Sequence, residues 1–69
     1  MNKIFAEILK EKRISEGLTQ EQLAKKVGLC RNAIWNYENE SREPKIRVLK
    51  KLAKALNTSV DDLIGEIEL

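Results

Sequence analysis

The chain has 69 residues, 42% of them hydrophobic and 35% charged, with one cysteine and no histidine. That length holds one domain with a small core, the lone cysteine excludes an intrachain disulfide, and the missing histidine excludes a Cys/His zinc site. Charge is uneven: residues 1–60 carry thirteen Lys and Arg against seven Glu, a balance of +6, whereas residues 61–69 carry four acids and no base, a balance of −4. A basic body with an acidic end suits a polyanionic partner met by the body, the end turned away. The opening MNKIFAEILKEKR interleaves apolar residues with charges, which argues against a signal peptide or membrane span. The expected setting is a reducing cytoplasm.

From residue 2 to residue 15, Ile4, Phe5, Ile8 and Leu9 fall at helical spacing among Lys, Glu and Arg, predicting an amphipathic first helix. Gly17 supplies the left-handed residue that ends it. Thr19 and Gln22 form a Thr-x-x-Gln capping box, whose hydroxyl and amide satisfy N–H groups left open at a helix start. A second helix therefore opens at Gln20, turns Leu23 and Val27 inward, keeps Ala24 small where another helix crosses, and ends at Gly28. A third runs to about Glu38, with Leu29, Ile34 and Tyr37 on its apolar side. Its N-cap is Cys30, where a hydroxyl would accept a backbone hydrogen bond better than a thiol, and Asn39 is its expected left-handed terminator. Two short helices joined by a glycine turn over residues 19–38 read as a helix-turn-helix.

Residues 39–45, NESREPK, make a polar connection closed by the chain's one proline, which opens the next helix. That fourth helix is predicted from about Lys45 to Asn57, burying Ile46, Leu49, Leu52, Ala53 and Leu56 and turning Arg47, Lys50, Lys51 and Lys54 outward. Ser59 and Asp62 have the spacing of a cap at the head of a short fifth helix, with Val60, Leu63 and Ile64 facing inward. Only residues 66–69 alternate as a strand does. Leu63, Ile64, Ile67 and Leu69 either complete the core or form a contact between two copies. The expected fold class is all-α, five helices in a single domain over residues 1–69, without internal repeats.

With these elements placed, GLTQEQLA (17–24), VG (27–28), YEN (37–39), REP (42–44), LAKAL (52–56) and SVDDL (59–63) resemble, in order and spacing, the lambdoid phage repressor and Cro class, the Xre family. The resemblance covers the chain from Arg13 onward. It implies a compact five-helix lambda-repressor-like domain that binds double-stranded operator DNA as a homodimer. The helix near 30–38 would lie in the major groove, and the Gln20 helix across the backbone. It further implies base contacts from Arg31, Asn32 and Asn36 with Trp35 beside them. Phosphate contacts would come from Gln20, Cys30, Asn39, Arg42 and Lys45, and an ion pair would join Arg13 to Glu38. The chain departs from the family pattern at three positions. Cys30 replaces Ser or Thr, Glu40 stands where glycine commonly follows Glu-Asn, and Lys45 stands where Ser often caps the fourth helix. Glu40 and Glu43 put negative charge near the expected phosphates, against which Arg42 and Lys45 are set.

The side-chain chemistry points the same way. Arginine offers paired donors to guanine N7 and O6, and asparagine one donor and one acceptor to adenine. The specific expectation is Arg31 to guanine and Asn32 or Asn36 to adenine. Trp35 either contacts sugar-phosphate or a thymine methyl, or packs over a neighbouring helix. Cys30 is either a thiol sensor at a helix N-terminus or a small residue at a cap. Lys50, Lys51 and Lys54 read as a solvated helix face. No cofactor, metal or small-molecule ligand is expected, and no enzymatic activity. The chain lacks histidine, a glycine-rich phosphate loop and a nucleophile paired with a base. The expected function is a sequence-specific transcriptional repressor. The alternatives are an antitoxin, a restriction-modification controller protein, or an interaction module that keeps the fold without binding DNA. Because the chain ends soon after Gly65, either a short Cro-like protein or a fragment of a longer one is expected.

Overall fold

Five α-helices follow the apolar spacing of the sequence in a computed structural model that describes residues 3–65. They are α1 (Lys3–Ser15), α2 (Gln20–Val27), α3 (Arg31–Glu38), α4 (Ile46–Ala55) and α5 (Val60–Ile64), with no strand among the described residues. Residues 66–69, with their strand-like alternation and with Ile67 and Leu69, lie outside the described residues.

The helix starts are set locally. At α2 the Gln22 N–H donates to Thr19 Oγ1 at 3.0 Å, and the Thr19 N–H donates to Gln22 Oε1 at 2.8 Å, completing the capping box. At α5 the Asp62 N–H donates to Ser59 Oγ at 3.0 Å. Cys30 has the extended geometry of an N-cap, with φ −90° and ψ 161°, but its side chain makes no capping bond.

The helix ends share one device. After α1, α2, α3 and α4 a residue of positive φ (Gly17, Gly28, Glu40 and Asn57) is followed by an N–H that reaches back five residues. These bonds run from Leu18 to Arg13, Leu29 to Ala24, Ser41 to Asn36 and Thr58 to Ala53, at 2.8 to 3.1 Å. Each satisfies a carbonyl that the helix terminus would otherwise leave open. The expectation that Asn39 is the left-handed residue is therefore corrected. Asn39 sits at φ −107° and the turn falls on Glu40 at φ 64°. Similarly, α4 ends two residues earlier than predicted, because Asn57 at φ 56° is the turn itself. Asparagine tolerates that conformation and glutamate carries its full steric cost.

Phe5, Leu9, Leu23, Ile34, Leu52, Leu56 and Leu63 are fully enclosed and form the centre of the core, with Ala24, Val27, Tyr37, Leu49 and Ala53 around them. Burying a side chain of this size contributes roughly 1.5–3 kcal/mol, so a domain this small tolerates few losses. Two predicted core positions are exposed, Ile46 at 60% and Ile4 at 48%. Helical side chains lean toward the N-terminus, and Ile46, the first residue of α4, leans past the helix start where no element covers it. Val48 is half-buried against the core instead. At the other end, α5 closes on α1: a Cβ on Gly65 would collide with the side chains of Ile4 and Ile8.

Two surface substitutions test these local causes. Replacing Glu40 by glycine removes the left-handed penalty of about 1–2 kcal/mol at some entropic expense. The expected net gain is about 1 kcal/mol, read as a rise in denaturation midpoint at unchanged m-value. The second substitution, Cys30→Ser, places a hydroxyl on a backbone already in cap geometry and should add about 0.5–1 kcal/mol. A midpoint that stays put in thermal melts of Cys30→Ser would mean the missing cap is immaterial.

Candidate nucleic-acid interface

What α3 buries determines what it presents. Ile34 is fully enclosed and Tyr37 nearly so, Ala33 is half-buried, and this side of the helix packs against α1 and α2. At about 100° per residue the opposite side carries Arg31, Asn32, Trp35 and Asn39, all exposed, with half-buried Asn36 at its edge. Trp35 is 46% exposed and projects between Arg31 and Asn32. Trp35 therefore stands on the outer face of α3.

The rotation of that face is fixed by one carboxylate. Arg13 Nε donates to Glu38 Oε2 at 2.7 Å and Arg13 Nη2 donates to Oε1 at 3.2 Å, a two-point pair with side chains only 11% and 3% exposed. Gln20 Nε2 adds a third bond to Glu38 Oε1 at 3.1 Å, while Arg13 Nη1 donates to the main-chain oxygen of Leu18 at 2.8 Å. The last residue of α3 is thereby held by α1 and α2 together. Gln20 was not expected among these partners. Its side-chain amide donates to Glu38, while its main-chain N–H stands at the head of α2.

Helix heads add to the local positive charge. The first N–H groups of a helix lack internal partners and carry partial positive charge, and at α3 the Cys30 side chain leaves them uncapped. Arg31 and the head of α2 line one shallow depression of about 370 Å³ together with Arg13, Leu18, Thr19 and Glu21. Gln20 and Arg31, distant in sequence, are thus brought to one site. The remaining candidates sit on the connector. Asn39 is exposed, and its Nδ2 donates to the main-chain oxygen of Trp35 at 2.8 Å, which engages it at the end of α3. Arg42 and Lys45 are exposed beside Glu40 and Glu43, and buried Pro44 pins the segment.

Of the two roles open to Leu63, core or contact between copies, the structure shows the first. Leu63 is fully enclosed in the monomer core and has no surface to give a partner copy. Ile64 is half-buried at the end of α5. Among the described residues no group of His, Cys, Asp or Glu is placed to hold a metal ion, and no helix is long and apolar enough to cross a membrane.

The helix-turn-helix family pattern matches residues 9–63. The chain belongs to the Xre-type helix-turn-helix family. It is 39% identical over 61 residues to the HTH-type transcriptional regulator ImmR of Bacillus subtilis, covering 88% of this chain and 48% of ImmR. The chain therefore spans about half the length of that curated relative. Its fold is similar to that of the P22 c2 repressor solved in complex with a synthetic operator, at TM-score 0.85 and 32% identity over 91% of this chain and 96% of that one. It is also similar to the restriction-modification controller protein C.AhdI from Aeromonas hydrophila, at TM-score 0.82 and 36% identity over 86% of each chain.

In this Xre-type domain the buried pair carries a clear thermodynamic signature. The substitution Arg13→Met strands the Glu38 carboxylate with Gln20 as its one side-chain donor, and should lower stability by about 3 kcal/mol in urea titrations. Combining it with Glu38→Leu removes the stranded charge and should return stability to within about 1 kcal/mol of the parent. A single variant as stable as the parent would show that the pair does not hold the helices together.

Proposed function

We propose that this chain is the DNA-binding domain of a transcriptional repressor that occupies double-stranded operator DNA as a homodimer in the cytoplasm. The observation that carries the reading is the outer face of α3, where Arg31, Asn32 and Trp35 stand exposed on a helix clamped through Glu38. Family membership and likeness to a repressor solved on operator DNA support it. In this mechanism α3 enters the major groove. Arg31 reads guanine, Asn32 or Asn36 reads adenine, and Trp35 lies against the same base steps. Phosphates are met by the head of α2 at Gln20, the uncapped start of α3 at Cys30, and Asn39, Arg42 and Lys45. Two copies place their α3 helices about 34–36 Å apart on one side of the duplex, joined through the C-terminal end at Ile64, Ile67 and Leu69. Occupancy then excludes polymerase, and no catalytic step is involved.

A second reading, a restriction-modification controller, is favoured by the likeness to C.AhdI. Both readings require the same DNA face, and genomic neighbours separate them.

The test is an anisotropy titration of the chain against DNA flanking its own gene, at several salt concentrations and beside random duplex. Specific binding that weakens steeply with salt is expected. Arg31→Ala should lose roughly 1–3 kcal/mol of discrimination at one guanine position, whereas Arg42→Ala should weaken all sequences alike. Equal affinity for the DNA flanking its own gene and for random DNA would overturn the proposal. Unchanged discrimination in Arg31→Ala would overturn the role given to Arg31.

A further inference from the structure

On another part of the surface, the last turn of α2 and the second half of α4 border a groove of about 650 Å³. Its walls are Lys25 and Lys26 on one side and Lys51 and Lys54 on the other, and Val27, Gly28 and Ala55 lie between them. All four lysines are exposed, and none of their ammonium groups is among the side-chain hydrogen bonds and ion pairs of the described residues. Four like charges around one depression repel one another, and salt screens that repulsion only in part at short range. Helix C-termini offset part of this, since Lys25, Lys26 and Lys54 lie in last turns. Lys51 has no such reason to be there. The groove lies at the far end of α2 from Gln20: at 1.5 Å per residue, Val27 is about 10 Å along the helix from it, and the outer-arc residues Arg31, Asn32 and Trp35 are not among its lining.

We infer that this groove is a docking site for an acidic peptide segment of a partner protein, one with carboxylates flanking a small apolar side chain. Charge complementarity selects the acidic class, and the apolar floor of Val27, Gly28 and Ala55 between the lysine rows suits a peptide that alternates carboxylates with small apolar side chains. Lys51 and Lys54 are three apart and thus neighbours on the surface of α4. They face the Lys25–Lys26 pair across the groove, so the segment lies between the helices with carboxylates reaching both walls. Because no residue of α3 lines the groove, this partner leaves Arg31, Asn32 and Trp35 uncovered.

The experiment uses the isotope-labelled full chain and follows amide shifts. One probe is a capped 12-residue peptide of alternating Glu and Ala, the second its Lys and Ala counterpart, and the third a random duplex DNA. The acidic peptide should shift amides at 25–28 and 51–55 and leave 31–36 in place, and the basic peptide should shift neither. Lys51→Ser with Lys54→Ser should weaken the acidic peptide by roughly three- to tenfold. The reversal Lys25→Glu with Lys26→Glu serves as a second variant, and both should leave the ratio of operator to random-duplex affinity set by α3 unchanged, whatever they do to the general electrostatic attraction. Acidic-peptide shifts that are absent, or that fall on α3, would overturn the proposal. So would duplex DNA shifting the groove as strongly as the peptide does, since the groove would then belong to the nucleic acid.

Discussion

The Glu38 carboxylate is the point on which the arrangement of α1, α2 and α3 depends. It is almost entirely enclosed, and burying it is tolerable because Arg13 meets it at two points and Gln20 at a third. Apolar packing through Ile34 and Tyr37 holds α3 against the core, but apolar contact is non-directional and leaves the helix some freedom to rotate. A bidentate guanidinium–carboxylate pair removes that freedom. The side chains on the outer face, Arg31, Asn32 and Trp35, inherit their orientation from a bond on the inner one. Arg13 also binds the Leu18 carbonyl, so the turn before α2 is included in the same clamp.

Much of the fold was legible because its causes are local. Thr19 with Gln22, and Ser59 with Asp62, announce helix starts from three residues' separation, and Gly17 and Gly28 announce ends. What was not legible depends on neighbours distant in sequence. Nothing in NES marks Glu40 over Asn39 as the left-handed residue. The choice follows from where the Ser41 N–H must sit to reach Asn36. Ile46 obeys helical periodicity yet lies exposed, because periodicity says which side of a helix is apolar and not where the covering element stops. Leu63 could be read from sequence as core or as contact surface, and only the packing of α5 on α1 and α4 resolves it.

The candidate site divides along the same line. Residue types with hydrogen-bonding patterns suited to base edges could be named from the α3 sequence alone, and the structure places most of them on one exposed arc. The bond from Gln20 to Glu38 left no sequence signal, since an amide eighteen residues from a carboxylate carries no spacing rule. It adds Gln20, at the head of α2, to the clamp.

Trp35 is the only tryptophan in the chain, and it stands nearly half exposed on the outer arc of α3. Its indole therefore serves as a built-in optical reporter whose emission is set by the solvent around that face. Anything that covers α3 dries the ring and moves its spectrum. A molecule seated between α2 and α4 leaves it wet, so unlabelled protein distinguishes the two surfaces by colour alone.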